Sequence, residues 1–161
     1  MAMRITILAV GKIKEKFFRD AIAEYEKRLS RYCKLEIIEV ADEKTPDNAS
    51  AAEEEQIKLK EAERILNRIN SDAYVITLEI LGKEFDSVAF SNMLQKIGVS
   101  GRSQIVFIIG GSLGLHESVS KKADTKVSFS PMTFPHQLMR VILCEQIYRG
   151  FRIMNHEPYH K

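Results

Sequence analysis

Short apolar runs and amphipathic segments alternate five times along the chain, and this alternation constrains the fold more than any other feature of the sequence. The apolar runs are predicted strands: RITILAV (4–10), KLEIIEV (34–40), AYVITLEI (73–80), QIVFIIGG (104–111) and KVSFS (126–130). The fourth run is apolar throughout, so we expect it to be the most buried strand, whereas the second alternates in part and is expected near an edge. Strands that alternate with helices predict a parallel sheet with helices on both faces, in a single α/β domain over residues 1–161.

Apolar residues recur at helical spacing between the predicted strands. The predicted stripes are Phe18, Ile22, Tyr25 and Leu29, then Ala62, Leu66 and Ile69, then Phe90, Leu94 and Ile97. Ser50 and Glu53 have the spacing of a capping box, which predicts where the second helix begins. Residues 81–87 are expected to turn into the third helix, residues 116–122 to form a weaker helix, and residues 135–153 to form the last helix.

Charge and composition exclude several classes of function. The net charge is +2, and the basic residues concentrate in 1–40 and 121–161 around an acidic segment at 41–63. One face could therefore attract phosphate, although an unevenly charged, solvated surface explains the same pattern. Cys33 and Cys144 lie outside any CxxC or histidine pattern, so we predict neither a metal site nor a disulfide. No run approaches the ~18 or more consecutive apolar residues of a membrane span, so we expect a cytoplasmic protein with no signal peptide and no membrane contact.

The last predicted helix is apolar on nearly every side. Its polar residues are scattered around the helix instead of sharing one face: Gln137, Arg140, Glu145, Gln146, Arg149 and Arg152. Such a helix must be covered on nearly all sides, and a sheet covers only one of them. We therefore predict a homodimer in which a second copy of this helix supplies the remaining cover. The alternative is a single helix buried deep in the core of a monomer.

A pair of glycines, Gly110 and Gly111, follows the most buried predicted strand. In open parallel sheets ligands bind beyond the carboxyl ends of the strands, and glycine lets a ligand approach the backbone closely. The spacing matches neither a P-loop nor GxGxxG, and no acidic residue follows a strand about 20 positions further on to hold a ribose. A nucleotide-dependent oxidoreductase is therefore disfavoured. Taken alone, the pair would be an ordinary tight strand-to-helix turn.

Two further strand ends, TLEILGK (77–83) and FSPMTFP (129–135), are expected to converge on the glycine pair. The three segments offer backbone N–H and C=O groups, small hydroxyls, and apolar walls from Leu78, Leu81, Phe129, Met132 and Phe134. They contain no metal triad, no charged phosphate clamp and no nucleophile–base pair. Such a pocket suits a ligand with an adenine edge, a short apolar arm and little anionic charge, and S-adenosylmethionine has these properties.

Five segments together resemble the ribosomal large-subunit methyltransferase H family, which belongs to the SPOUT superfamily of trefoil-knotted methyltransferases. They are ITILAVGK, VITLEILGK, FIIGGSLGL, SFSPMTFPHQLMRVILCEQIYRGFRI and the terminal PYHK, and they span the whole chain in order. The resemblance implies a homodimeric enzyme that needs no metal. It would transfer a methyl group from S-adenosylmethionine to N3 of a pseudouridine in helix 69 of 23S rRNA on assembled ribosomes. It also implies cofactor contacts at Leu78, Gly110, Phe129, Ser130, Pro131, Met132, Thr133 and Phe134. The other hypothesis is a non-catalytic RNA- or ribosome-binding module of the same fold.

Three residues are candidates for catalysis. His136 starts the last helix, whose dipole favours a neutral imidazole that could accept a proton or bind a base edge; alternatively it only hydrogen-bonds the backbone. Arg140, one turn further on, could hold a phosphate or the cofactor carboxylate, or could form a salt bridge to Glu145 or to a partner. Tyr159 lies in the tail, and the resemblance implies that this tail helps to complete an active site, that of the partner subunit.

RNA contacts are expected from four residues: His160, Lys161, Lys12 and Lys14. Lysine can pair with phosphate, and aromatic side chains can stack on splayed bases of single-stranded or looped RNA. Chain ends are commonly disordered and exposed lysines are commonly only solvated, so both alternatives stand beside the RNA-binding hypothesis.

Overall fold

In a computed structural model that describes residues 3–161, five strands and five helices follow one another in the predicted order. They are β1 (Met3–Val10), α1 (Lys16–Leu29), β2 (Cys33–Val40), α2 (Ala51–Leu66), β3 (Tyr74–Glu84), α3 (Ser87–Val99), β4 (Gln104–Ile109), α4 (Glu117–Ser120), β5 (Thr125–Ser128) and α5 (His136–Met154). The side chains of Ser50 and Glu53 each accept a hydrogen bond from the other's backbone N–H, which confirms the capping box. The predicted domain boundaries, residues 1–161, include two residues outside this range and stay a prediction.

The five strands form one parallel sheet in the order β2-β1-β4-β3-β5. β4 lies at the centre, and five of its six residues are buried, which confirms the prediction for the most apolar run. β2 lies at one edge, also as its partial alternation predicts. Because every strand runs the same way, the carboxyl ends of β1, β3, β4 and β5 meet at one edge of the sheet.

Helices cover both faces of this sheet and create two cores. Ile5, Ile7 and Ala9 of β1 pack in one cluster with residues of α1, α3 and α5. Leu8 and Val10, which point to the opposite face, pack with residues of α2 and α4. The residues of α2 buried there are Glu61, Ala62 and Ile65. Of the predicted stripe, Ala62 is buried as expected, whereas Leu66 and Ile69 only border the core, because α2 ends at Leu66.

The region after Ile80 differs from the prediction, because β3 continues to Glu84 where residues 81–87 were expected to turn into the third helix. β3 pairs with β5 twice: both Leu78 and Lys83 lie opposite Val127, and the residues between them bulge out of the ladder. Gly82 makes this possible, since a Cβ there would lie 2.8 Å from the carbonyl of Lys126. The bulge turns residues 79 and 80 towards the carboxyl edge of the sheet.

The last helix packs between α1 and α3. Its buried side includes Leu143, Cys144, Ile147 and Phe151, and the Ser91 hydroxyl donates a 2.7 Å hydrogen bond to the carbonyl of Gly150. Its opposite side is only half-buried and includes the apolar Leu138, Val141 and Ile142 together with the charged Glu145 and Arg149. The single chain thus covers part of the helix, and the predicted homodimer stays a prediction. The knot also stays a prediction, because strand order and register do not record how the chain threads.

Two properties of the described residues bear on the excluded classes of function. No helix within residues 3–161 is long and apolar enough to cross a membrane. Among the same residues, no group of three or more His, Cys, Asp or Glu side chains is arranged to hold a metal ion. Cys33 and Cys144 are free thiols in the core, and burial raises the pKa of each to about 12.

Candidate active site

The three chain reversals predicted to converge do line a single cleft, with a volume of about 580 Å³. Residues 78–80 come from the end of β3, residues 109–114 from the end of β4, and residues 127–136 from the end of β5 and the start of α5. The walls are mainly backbone and apolar side chains. A cleft of this size and composition fits a drug-sized or nucleoside-sized ligand.

Seven of the eight predicted cofactor contacts line this cleft: Leu78, Gly110, Phe129, Ser130, Met132, Thr133 and Phe134. Pro131 is exposed and lies outside the cleft wall. The cause is a local turn, in which the Ser130 hydroxyl accepts a 3.0 Å hydrogen bond from the backbone N–H of Met132. The turn leaves Pro131 at its apex and turns the residues on either side towards the cleft.

The segment that begins with the glycine pair both forms a tight turn and lines the cleft, the two alternatives that the sequence left open. Gly114 donates a 3.0 Å backbone hydrogen bond to Gly111 and has a φ of 83°, so the segment is a tight turn. A Cβ at Gly110 would lie 2.9 Å from the carbonyl carbon of Gly114 and 3.0 Å from Cδ2 of Leu115. The turn can therefore close only on a glycine, and the same residue lines the cleft.

His136 lies at the cleft wall, where α5 begins. Its ring packs against Gly11, since a Cβ on that glycine would be 3.1 Å from Cε1 of the imidazole. Burial lowers the pKa of His136 and the nearby Arg140 guanidinium lowers it further, against a smaller opposing effect of Asp42 and Glu39. The imidazole is therefore neutral near pH 7, as predicted from the helix dipole, although burial is the main cause. Its buried Nδ1 atom has no hydrogen-bond partner within residues 3–161.

Arg140 lies behind the cleft instead of in its wall. Only 1% of this residue is exposed, and its guanidinium binds Glu39 Oε2 at 2.6 Å and the carbonyl of Gly11 at 3.1 Å. The geometry thus matches the salt-bridge alternative, with Glu39 as the partner in place of Glu145. A direct contact with phosphate or cofactor, as predicted, does not fit a guanidinium that is enclosed and already paired. Arg140 instead fixes the end of β1 against the first turn of α5.

The tail packs against α5 through specific side-chain contacts. The Tyr159 hydroxyl donates a 3.0 Å hydrogen bond to Glu145, and its ring meets Tyr148 edge-on at a centroid distance of 4.9 Å. Burial and the bond to Glu145 raise the pKa of Tyr159 to about 12. Glu157 anchors the preceding residues through Arg152 and the Tyr32 hydroxyl, at 2.9 and 2.7 Å.

The predicted RNA-binding residues fall into two groups. Lys12 and Lys14 are exposed in the loop after β1, and the backbone N–H of Lys14 donates to the side chain of Gln137 at 3.2 Å. This contact holds the lysine loop beside His136. His160 and Lys161 are exposed at the tail, and neither these two nor Tyr159 lines the cleft of its own chain. The structure thus brings the loop near the cleft and leaves the tail apart from it.

Among the cleft residues that sequence reasoning did not name, Glu79 differs from the rest by its charge. It directly follows the predicted contact Leu78 and is the one formally charged side chain among the described residues that line the cleft. Its position at a strand end could have pointed to it. The segment 77–83 was instead considered for its backbone and apolar groups alone.

Comparisons with known proteins agree with this geometry. A family model described as a predicted SPOUT methyltransferase matches residues 3–160. The chain is 60% identical, over 99% of its length and all of the relative's, to a ribosomal RNA large subunit methyltransferase H from Clostridium kluyveri. It is 63% identical, with the same coverage, to a protein from Methanococcus maripaludis that carries the same name provisionally.

A solved structure shares the fold at much lower identity. The tRNA (m1G37) methyltransferase from Aquifex aeolicus superposes with a TM-score of 0.54 and 15% identity, covering 92% of this chain and 70% of that one. The family match confirms the predicted fold and S-adenosylmethionine as the cofactor. The chain therefore belongs to the ribosomal RNA large subunit methyltransferase H family of SPOUT methyltransferases.

Proposed function

We propose that this methyltransferase acts on 23S rRNA in the cytoplasm, where it methylates N3 of a pseudouridine in helix 69 on assembled ribosomes. The observation that carries this proposal is the cleft built from three backbone reversals, in a chain 60% identical over its length to a protein named as a large-subunit rRNA methyltransferase. Apolar walls and free backbone groups suit an adenosyl ligand that bears little negative charge. S-adenosylmethionine would supply an activated methyl group on a sulfonium.

The cofactor would be held by Leu78, Gly110 and the turn from Phe129 to Phe134. Gly110 supports this assignment, because it lines the cleft with backbone alone. Atoms of Gly114 and Leu115 already crowd the position that a Cβ of residue 110 would occupy. Methyl transfer needs little covalent help from the protein. Orientation of two reactants at a near-attack distance can contribute up to ~7–11 kcal/mol in well-oriented models, and a rigid backbone cleft provides such orientation.

His136 is the best candidate for proton acceptance within the cleft. The N3–H of a pseudouridine is a weakly acidic imide, so a neutral imidazole nearby would assist its loss. The lowered pKa of His136 keeps the ring in the accepting form, and the contact with Gly11 fixes its position. Arg140 is a positioning residue in this scheme, because it acts by holding the carbonyl of Gly11 and thereby the surface against which His136 packs.

The tail residues enter the proposal through a second copy of the chain. Tyr159, His160 and Lys161 do not line the cleft of their own chain, so their proposed roles need a cleft that belongs to another copy. The half-buried apolar side of α5 supports a homodimer. Leu81, which is 98% exposed beside the cleft segment, supports it too. Lys12 and Lys14 would bind rRNA phosphates next to His136.

Radiolabelled methyl transfer tests this proposal. Ribosomes from a strain that lacks the modification should accept label from S-adenosylmethionine in 23S rRNA, and prior methylation of the site should block incorporation. His136→Ala and Tyr159→Phe homodimers should each be impaired, and a mixture of the two should regain activity if the tail serves the partner's cleft. Tight binding of ribosomes without any cofactor binding or label transfer would favour a non-catalytic module.

A further inference from the structure

Glu79 is an unusual member of the cleft wall because it carries the only formal charge among the described residues there. It lies within β3, in the bulge between Leu78 and Lys83, and β4 separates β3 from β1 in the sheet. β1 and β3 are thus two strand spacings apart, about 10 Å, and His136 packs against Gly11 at the end of β1. A charged group in an otherwise apolar and backbone-lined cleft needs a polar partner.

Two hydroxyls hold the carboxylate in place. The hydroxyl of Thr77, a fully buried residue, donates to Oε2 at 2.6 Å, and the hydroxyl of Ser120 at the end of α4 donates to Oε1 at 2.9 Å and to Oε2 at 3.0 Å. An ionised carboxylate offers about four acceptor positions, whereas Thr77 donates one proton and Ser120 shares its one proton between Oε1 and Oε2. At least one acceptor position on Oε1 therefore remains for a further donor.

We propose that this position binds a ribose hydroxyl of S-adenosylmethionine, so that Glu79 is a specificity-determining residue for the cofactor. The inference rests on the proposed function, which assigns the cofactor to this cleft. A ribose hydroxyl brings a single donor that a free acceptor position on Oε1 can satisfy, whereas an ammonium group brings three donors, and the mainly apolar wall beside Glu79 offers no second charged acceptor among the described residues that line the cleft. No acidic residue follows the glycine pair at the spacing expected of a ribose-binding acid. In the fold, the acid comes instead from β3, the strand before β4 in the chain, which places Glu79 in the cleft wall.

The test is a comparison of ligands that differ by one hydroxyl. Calorimetry would measure the binding of S-adenosylhomocysteine, its 2′-deoxy and 3′-deoxy analogues, and 5′-methylthioadenosine to the full chain and to Glu79→Gln. A hydrogen bond to a charged acceptor is worth about tenfold or more in affinity, so Glu79→Gln should weaken S-adenosylhomocysteine by that factor. For the analogue that lacks the bound hydroxyl, the two proteins should bind equally.

Controls separate this role from a structural one. Glu84→Gln, on the exposed end of the same strand, should bind every ligand as the unchanged protein does. If Glu79→Gln is unstable, Ser120→Ala offers a second route, because it releases the carboxylate and should weaken only the ligands with the intact ribose.

Several outcomes would overturn the inference. An equal loss for all ligands would mean that Glu79 only supports the bulge, and no loss would mean that it does not reach the ligand. 5′-Methylthioadenosine keeps both ribose hydroxyls but lacks the ammonium group. If Glu79→Gln bound it as tightly as the unchanged protein does, while binding S-adenosylhomocysteine more weakly, Glu79 would be assigned to the ammonium group instead. If the unchanged protein failed to bind S-adenosylhomocysteine at all, the proposed function would fall together with the inference.

Discussion

Substitution of Gly110 by alanine tests whether the glycine turn is a ligand surface as well as a turn. The new Cβ would lie 2.9 Å from the carbonyl carbon of Gly114 and 3.0 Å from the side chain of Leu115, so the turn must shift by a few tenths of an ångström. Overpacking of this kind costs about 1–3 kcal/mol of stability. A domain of this size loses about 2–4 °C in melting temperature per kcal/mol, which differential scanning calorimetry would resolve.

The effect on the cofactor should exceed the effect on the fold. A shifted backbone would lose hydrogen-bond geometry with the ligand, and one hydrogen bond is worth about 0.5–1.5 kcal/mol, so S-adenosylhomocysteine binding should weaken by up to roughly tenfold. Gly101→Ala is the matched control, because Gly101 has a φ of 93°, lies away from the cleft and has nothing within 4 Å of its would-be Cβ. It should lose about 1–2 kcal/mol of stability from the left-handed backbone alone and keep full affinity. Equal affinities of Gly110→Ala and the unchanged protein would refute the reasoning.

Three further predictions follow from the pKa shifts and the buried ion pair. The folded pKa of His136 is lowered, so the free energy of unfolding should fall as the pH drops below 6.5, and urea unfolding of His136→Gln should lack that part of the dependence. Arg140→Ala should cost about 3 kcal/mol in urea unfolding, below the upper range for buried pairs because the Glu39 side chain stays 37% exposed; a cost under about 1 kcal/mol would contradict a positioning role. Because the pKa of Tyr159 is raised to about 12, Tyr159→Phe should leave an ultraviolet titration of the protein unchanged below pH 11.

The layers of the fold could be predicted because the burial of a strand determines the pattern of apolar residues within that strand. β4 is apolar throughout and lies at the centre, while β2 alternates in part and lies at an edge. The capping box of α2 is likewise local, since Ser50 and Glu53 are three residues apart. Convergence of the three reversals followed from a rule of parallel sheets, because the carboxyl ends of their strands share an edge.

Two of the errors involve contacts between distant parts of the chain. The partner of Arg140 is Glu39, 101 residues away, and the nearby Glu145 is engaged by Arg149 and Tyr159. β3 continues past Leu81 because Gly82 lets β5 approach closely, which no pattern within residues 77–87 records.

The tail likewise has distant partners. Its order depends on Tyr32 and Arg152, which bind Glu157 from outside the tail itself. Propensity at a chain end carries no information about such partners, so both alternatives for the tail stayed open at the level of sequence.

The most direct test of the central claim is a crystal structure of the chain with S-adenosylhomocysteine bound. We predict that the ligand lies against Leu78, Gly110 and the turn from Phe129 to Phe134, and that main-chain groups provide most of its hydrogen bonds. A ligand bound elsewhere, or bound mainly by charged side chains far from these three reversals, would contradict it.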